Sequence, residues 1–313
     1  MNPGSSAPIT RPSKVKKLGK RILPDPIVDF IAALVGYKRR HGVFPSFWNP
    51  QTFSEKIAYR KMFDRRPLLT QCADKYAVRE FVASRLGPEV LPKLYCVTKD
   101  PAKIPFAELP EKFVVKPTHG SGWVRVVRDK SQIDTAELMK TCTAWLSQNF
   151  YEGGREWMYK NVEPQIIVEE YVEDGRGHTA PNDYKLFVFD GDVALIQVDV
   201  DRFGPHRRGF YDKDWKEVDV RLKYPPVTSP VPQPRHLREM IVAARILCRD
   251  IDFVRADFYD TERQIYFGEL TTTPGSGLEV FTPRAYDAYL GAMWTLPRAR
   301  QSRRVAAEYE SRG

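Results

Sequence analysis

The stretch FVRADFYDTERQIYFGELTTTPGSG, residues 253–277, holds two runs of alternating apolar and polar residues around a polar turn, Thr261-Glu262-Arg263. Alternation at period two is the pattern of a half-buried strand, and a short polar turn between two such runs predicts a β-hairpin. Charges interrupt the apolar pattern at Arg255 and Asp257 in the first run and at Glu269 in the second. Acids are disfavoured inside strands and rarely lie buried without partners. Residues two apart on a strand share a face, so Arg255 and Asp257 point the same way. Asp257 and Glu269, on neighbouring strands, can face one another. Paired carboxylates suit Mg2+ held jointly with nucleotide phosphates, and a guanidinium beside them can stabilise developing negative charge. The competing reading is a purely structural Arg–carboxylate network. The following Thr271-Thr272-Thr273-Pro274-Gly275-Ser276-Gly277 is rich in hydroxyls and free N–H groups, as a site for an anionic substrate would be.

Outward from this hairpin lie other strand pairs. DYKLFVF (183–189) and DVALIQVDV (192–200) flank Asp190-Gly191, a strong hairpin signal. KFVVKP (112–117) and VRVVRD (124–129) are joined by Thr118-His119-Gly120-Ser121-Gly122-Trp123. The glycines let backbone N–H groups approach phosphate oxygens, with Lys116 as counter-charge. G-x-x-x-x-G-K-[ST] is absent, so the loop is not a Walker P-loop, and alone it reads equally well as an ordinary tight turn. QIIVEEYV (165–172) is a further strand ending in Glu169 and Glu170, which must face opposite sides, so only one can meet a given ligand. Helical patterns cover FSEKIAYRKMFD and ADKYAVREFVASRLG, the latter stopped by Gly87-Pro88, and then roughly residues 133–150 and HLREMIVAARILCRD (236–250). Asp25-Pro26 is read as the cap and first residue of another helix, IVDFIAALVGYKRR, with basic flanks. That helix can lie on a membrane surface, but packing on the body is favoured. The body is thus mixed α+β and mostly antiparallel. Lys75 and Lys185 stand out only in this context, since a lone lysine usually faces solvent.

The 313 residues have the composition of a globular chain, with 42% apolar and 28% charged residues. Coiled-coil, collagen-like and wholly disordered classes are excluded, and no apolar run is long enough to span a bilayer. The N-terminal MNPGSSAPITRPSKVKK has no apolar h-region, so a cytoplasmic location is expected. Cys72, Cys96, Cys142 and Cys248 are widely spaced, which predicts free thiols rather than a zinc or disulfide framework. The net charge of +9 lies at the ends: residues 1–24 carry six bases and no acid, and residues 298–313 carry five arginines against two glutamates. The body is neutral, so nucleic acid is not an expected partner. The basic ends suit solvated tails or peripheral contact with an anionic membrane. The five histidines show no metal-ligand spacing, and His119 could touch a phosphate or be an ordinary loop residue.

Asp199-Val200-Asp201 is a D-x-D that could hold a metal and a sugar diphosphate, as in a glycosyltransferase of surface polysaccharide; an ion pair with the adjacent Arg202 is the plainer account. Arg202, His206, Arg207 and Arg208 form a charged segment able to recognise an acidic substrate or simply to stay solvated. A non-catalytic nucleotide-binding protein is a third reading.

The order of these motifs resembles the ATP-grasp superfamily. More closely, FSEKIAYRKMFDRRPLLTQCADKYAVRE, KFVVKPTHGSG, REWMYKN, DYKLFVFDG and GELTTTPGSGLEVF are similar to its TupA-like branch, associated with teichuronopeptide and other surface-polymer synthesis, over roughly residues 45–292. The resemblance implies an ATP-grasp fold, two α/β lobes clasping ATP with Mg2+. On that pattern residues 1–24 are a flexible basic leader, 25–110 a helical N-terminal region, 111–182 the small lobe, 183–295 the large lobe and 296–313 a basic tail. It implies that Lys75, Lys116, Lys185, His119, Gly120, Ser121, Gly122 and Glu169 or Glu170 contact ATP. It further implies Asp257, Glu269 and Thr271 as metal ligands, Arg255 and the Gly275 amide on the reacting acyl group, and Arg202 and Ser276 on substrate. The one departure is Thr271, where many relatives have asparagine. The implied reaction is an ADP-forming carboxylate–amine ligation through an acyl phosphate, drawing on small or polymer-linked substrates.

Overall fold

A computed structural model describes residues 23–175, 181–201 and 204–297. Most of both basic ends, and with them most of the expected leader and tail, fall outside these residues, as does Arg202. The described residues open with helix α1 (Asp25–His41), followed by α2 (Phe53–Phe63), α3 (Pro67–Ala73) and α4 (Ala77–Leu86). Asp25 is not the cap of α1: Pro24 holds that position, and the Asp25 carboxylate pairs with Arg155 and Lys160. A capping box opens α2, with Thr52 accepting from the Glu55 amide and Glu55 from the Thr52 amide. Pro67 starts α3, and Asp74 ends it by accepting the amides of Tyr76 and Ala77. Lys75 therefore sits in a turn between two helices, not on the single helix that ADKYAVRE suggests.

The first sheet has the order β1-β4-β2-β3, all antiparallel: β1 (Leu94–Thr98), β2 (Phe113–Pro117), β3 (Arg125–Val127) and β4 (Ile166–Glu170). Thus β1 joins the small sheet from within the stretch read as helical. Helix α5 (Thr135–Leu146), capped by Asp134, covers one face, packing Leu138, Cys142 and Trp145 on Phe113, Val115, Ile166 and Val168. A single turn, α6 (Tyr151–Gly154), follows.

The second sheet has the order β10-β9-β5-β6-β7: β5 (Asp183–Phe189), β6 (Asp192–Val200), β7 (Arg207–Tyr211), β9 (Phe253–Asp260) and β10 (Ile265–Thr271). Its neighbours are also antiparallel. Asp190 and Gly191 both take positive φ, the geometry a two-residue hairpin needs. One face of this sheet packs Leu186, Ile196, Ala256 and Phe258 against Met240, Ala244 and Leu247 of α7 (Leu237–Leu247). The other face is divided. Toward one end Phe187, Phe189, Leu195 and Phe253 lie under Phe53 of α2 and Trp294 beyond α8 (Ala285–Met293). Toward the other end the same face carries charged residues. A two-stranded pair, β8 (Arg221–Leu222) with β11 (Phe281–Thr282), closes the large lobe. Cys72, Cys142 and Cys248 are buried free thiols, and Cys96 is half-buried.

Candidate active site

The hairpin β9–β10 contains one irregularity on which the site depends. Ile265, Tyr266 and Phe267 pair in order with Asp260, Tyr259 and Phe258, but the next partners are Glu269 and Asp257. Gly268 is an extra residue in β10, a β-bulge. By strict alternation Glu269 would follow Ile265 and Phe267 onto the face packed against α7. The bulge turns it onto the face of Asp257 instead and sends Leu270 into that core. A Cβ at position 268 would lie 3.1 Å from the Asp257 carbonyl oxygen, so glycine suits the bulge.

Arg255, Asp257, Glu269 and Thr271 consequently meet. Arg255 donates from Nε to Asp257 Oδ1 at 2.7 Å and from Nη2 to Asp257 Oδ2 at 2.6 Å. The same Nη2 reaches Glu269 Oε1 and Thr271 Oγ1, each at 3.0 Å, and the Thr271 hydroxyl donates to Glu269 Oε1 at 2.9 Å. Lys185, opposite Asp257 on β5, donates to Asp257 Oδ2 at 2.7 Å and also bonds Asp183. Asp257 is buried, whereas the Glu269 side chain keeps 36% of its surface open. Desolvation alone would raise the pKa of Glu269, but Arg255, then Lys75 and Lys185, outweigh it and hold this carboxyl far below its ordinary range.

The facing wall comes from the first sheet and the α3–α4 turn. Lys116 pairs with Glu169, and Arg79 Nη1 lies 3.6 Å from the same carboxylate. Glu170, on the opposite strand face, accepts the Lys93 amide at 3.0 Å, so Glu169 alone shares the side of Lys116. Lys75 is tied to the glycine loop twice: its amide donates to Thr118 O at 3.1 Å and its ammonium to Gly120 O. Burial pulls the Lys75 ammonium below its ordinary pKa. Gly122 has φ +76° and Ser121 is exposed, while a Cβ at Gly120 would come within 2.6 Å of the Trp123 ring. Lys75, Lys116 and Glu169 line one cleft together with Glu269 and Thr271. His119 turns away from it: the ring is buried, and Nε2 meets the Trp145 and Gln148 carbonyls at the end of α5.

Beyond β10, Gly275, Ser276 and Gly277 have φ of 57°, 58° and 70° in succession. A Cβ at Gly275 would lie 2.6 Å from Glu279 Cγ, so the turn needs glycine there both for its conformation and for space. The Ser276 hydroxyl accepts from the buried Lys61 ammonium at 2.5 Å, and Thr273 donates to the buried Glu156. Sequence reasoning missed Lys61, Glu156 and Asp183. Asp183 carried the signal used for Asp257, an acid within a strand; Lys61 and Glu156 carried none, since each looks like a solvated charge in its own segment.

The D-x-D pair is not brought together. Asp199 is buried and bonded by Arg208 Nε at 2.6 Å, while Asp201 lies past the end of β6, exposed, at φ 53°. Asp199 is thus paired with Arg208 on the neighbouring strand, while Arg202, the partner expected from the sequence, lies outside the described residues. Burial raises the pKa of Asp199, but the bond to Arg208 more than offsets this and brings it down to about 2.

The family model described as TupA-like ATPgrasp matches residues 55–295. No curated protein matches the chain. Among solved structures it is similar to D-alanine–D-alanine ligase from Bacillus anthracis, at 19% identity and a TM-score of 0.44, covering 71% of this chain and 64% of that one. The ATP complex of that ligase matches at 17% identity and a TM-score of 0.41, with 66% and 58% covered. The ATP-grasp ligase PsnB complexed with minimal precursor matches at 11% and 0.39, with 70% and 60% covered. The chain therefore spans less than two thirds of the length of these structures. The family match extends over most of the chain, and this protein belongs to the TupA-like ATP-grasp family.

Proposed function

We propose that the protein is an ATP-dependent, ADP-forming ligase that joins a carboxylate to an amine, in the synthesis or modification of a cell-surface polymer. The observation that carries this reading is the shared cleft, with Lys75 and Lys116 on one wall and Glu269 beside Arg255 and Asp257 on the other. Lys75 and Lys116 neutralise phosphate charge, and the loop from Gly120 to Gly122 folds its amides over the phosphates. Glu169 accepts from the adenosine side of the cleft. Lys185 stands behind Asp257 and offsets its charge.

Mg2+ takes one or two carboxylates together with substrate phosphates and water. Glu269, low in pKa and open to the cleft, fits that demand, with Thr271 as a neighbouring hydroxyl oxygen. Asp257 fits when Arg255 or Lys185 releases one of its oxygens. Among the described residues no group of three or more acidic, histidine or cysteine side chains is placed to hold a metal ion by itself, which suits an ion shared with phosphate and water. Bound there, the metal supplies charge neutralisation on the phosphates. Arg255, freed in part from the carboxylates, turns to the negative charge that develops as the substrate carboxylate attacks the γ-phosphorus, the bond to the β,γ-bridging oxygen breaks and ADP leaves. The Gly275 amide and the Ser276 turn hold the acyl phosphate for the amine, which forms the new bond as phosphate leaves. Positioning and charge neutralisation carry such a reaction, and no strong base is required.

The test is an ADP-release screen with Mg·ATP, pairing amino acids and uronic acids as carboxylates with amino acids and amino sugars as amines. ADP release that requires both partners supports the ligase. ATP binding with no ADP from any pair would favour the non-catalytic reading.

A further inference from the structure

Helix α1 is attached to the body by its polar side. Asp29 accepts from the Tyr151 hydroxyl at 2.7 Å and from Arg155 at 3.2 Å. Tyr37 is buried and stacked on His41, whose Nε2 meets Gly277 O at 3.0 Å. The apolar residues Ile27, Phe30, Ile31 and Val35, three and four apart on one stripe, are left exposed, Val35 at 59%. This inverts the arrangement expected of a helix packed on a globular body, in which the apolar stripe faces inward.

The exposed surface continues beyond the helix. Phe30 meets Phe47 at 5.4 Å between ring centroids, and Phe47 meets Phe63 of α2 at 5.7 Å. Phe44 is exposed beneath the Lys38 ammonium, 5.2 Å from its ring, and Trp48 is 100% exposed. An apolar patch of this kind on a protein surface marks an interaction site. Its rim is basic: Lys38, Arg39 and Arg40 are exposed in the last turn of α1. Both acids of the helix, Asp25 and Asp29, are engaged by Arg155. Residues 1–22, ahead of α1, add six bases and no acid.

We propose that α1 and the loop at residues 43–48 form a docking surface for an anionic lipid bilayer. Among the described residues no helix is long and apolar enough to cross a membrane. A helix with apolar residues on one side, basic residues at its rim and an exposed tryptophan instead lies in the interface plane, where indole and lysine reach the headgroups. The excess of basic over acidic charge selects anionic lipid over a neutral surface. The proposal does not depend on the ligase reading. Where both hold, His41 and Arg40, which contact Gly277 O and Leu278 O, bring the proposed substrate turn next to the bilayer.

The test is co-sedimentation of the full chain with phosphatidylcholine vesicles, with and without roughly one-quarter phosphatidylglycerol. It compares the parent with the triple variant Ile31→Ser, Val35→Ser, Trp48→Ser, whose changed side chains are exposed, so that the melting temperature should fall by only a few degrees. The parent should partition to anionic vesicles at least about tenfold better than to neutral ones, and the variant should lose about tenfold or more. Equal anionic binding by parent and variant overturns the proposal. So does a parent that ignores vesicles but self-associates in light scattering through the same three residues, since a second copy then covers the patch.

Discussion

Along one face of β9, Phe253 and Arg255 are two residues apart, yet they belong to opposite kinds of interior. Phe253 has the rings of Phe53, Phe189 and Trp294 within 4.9 Å between centroids. Arg255 has two carboxylates and a hydroxyl within 3.0 Å. The aromatic half gains stability in proportion to the area removed from water, so its contributions are many and each is replaceable in part. The charged half is stable only while each ion keeps its partner, because an unpaired buried charge costs more than the pair contributes. The aromatic half is therefore rigid support, and the charged half holds groups that a ligand carrying its own charge can recruit.

The largest expected effect comes from breaking the charged half. Glu269→Gln should lower ligase turnover on the order of a thousandfold or more with stability changed by only about 1 kcal/mol, because the side chain stands at the cleft edge. Asp257→Asn should lose turnover equally and in addition destabilise the fold by about 3 kcal/mol, since Arg255 and Lys185 lose a buried partner. ADP release and urea unfolding separate the two effects, and normal turnover in both variants would remove these acids from the site.

Phe253→Ala probes the aromatic half. It should cost about 3–5 kcal/mol in urea unfolding, and ADP release at a temperature where the fold persists should stay within a few-fold of the parent. Loss of turnover without loss of stability would mean that the two halves are not separate.

A smaller effect is expected at Asp199, at the far end of the charged face. Its pKa is about 2 when folded against an ordinary 3.8, so its bond to Arg208 contributes stability that is fully present above about pH 4. That contribution, on the order of 2 kcal/mol, disappears as pH falls through 2. Urea midpoints of the parent should fall more steeply between pH 4 and 2 than those of Asp199→Asn, and parallel profiles would contradict the pairing.

The smallest effect concerns the hairpin that both halves share. Gly191 has φ +87° with nothing within 4 Å of where a Cβ would stand, so Gly191→Ala should cost only the conformational penalty, about 1 kcal/mol. A much larger loss in thermal unfolding would show that the β5–β6 register depends on this residue.

Much of this architecture is legible from local pattern. Period-two alternation marks the hairpins, the Asp190-Gly191 pair marks a turn, and acids inside strands point to Asp257 and Glu269. The misses share one cause. Nothing in the helical pattern of FSEKIAYRKMFD singles out Arg60 or Lys61, but Arg60 is wholly buried, donating to Asp252 Oδ2 and Phe253 O at 2.8 Å. Their partners lie far away in sequence, and nothing local announces a long-range bond. The pattern around Lys75 is helical, yet the Asp74 side chain captures the next two amides and makes a turn. In α1 the apolar stripe is readable, but which way it faces is not.

Residue order alone determined which segments alternate, where turns must fall, and which charges sit where charges are unwelcome, because these follow from backbone stereochemistry over a few neighbouring residues. Only the folded molecule decided that Gly268 bulges, so that Glu269 meets Asp257 rather than entering the apolar core behind it. It likewise decided that Glu169, not Glu170, stands beside Lys116. Both choices depend on strand register, and register is settled by the joint packing of two sheet faces, a sum over distant contacts that no short window of sequence contains.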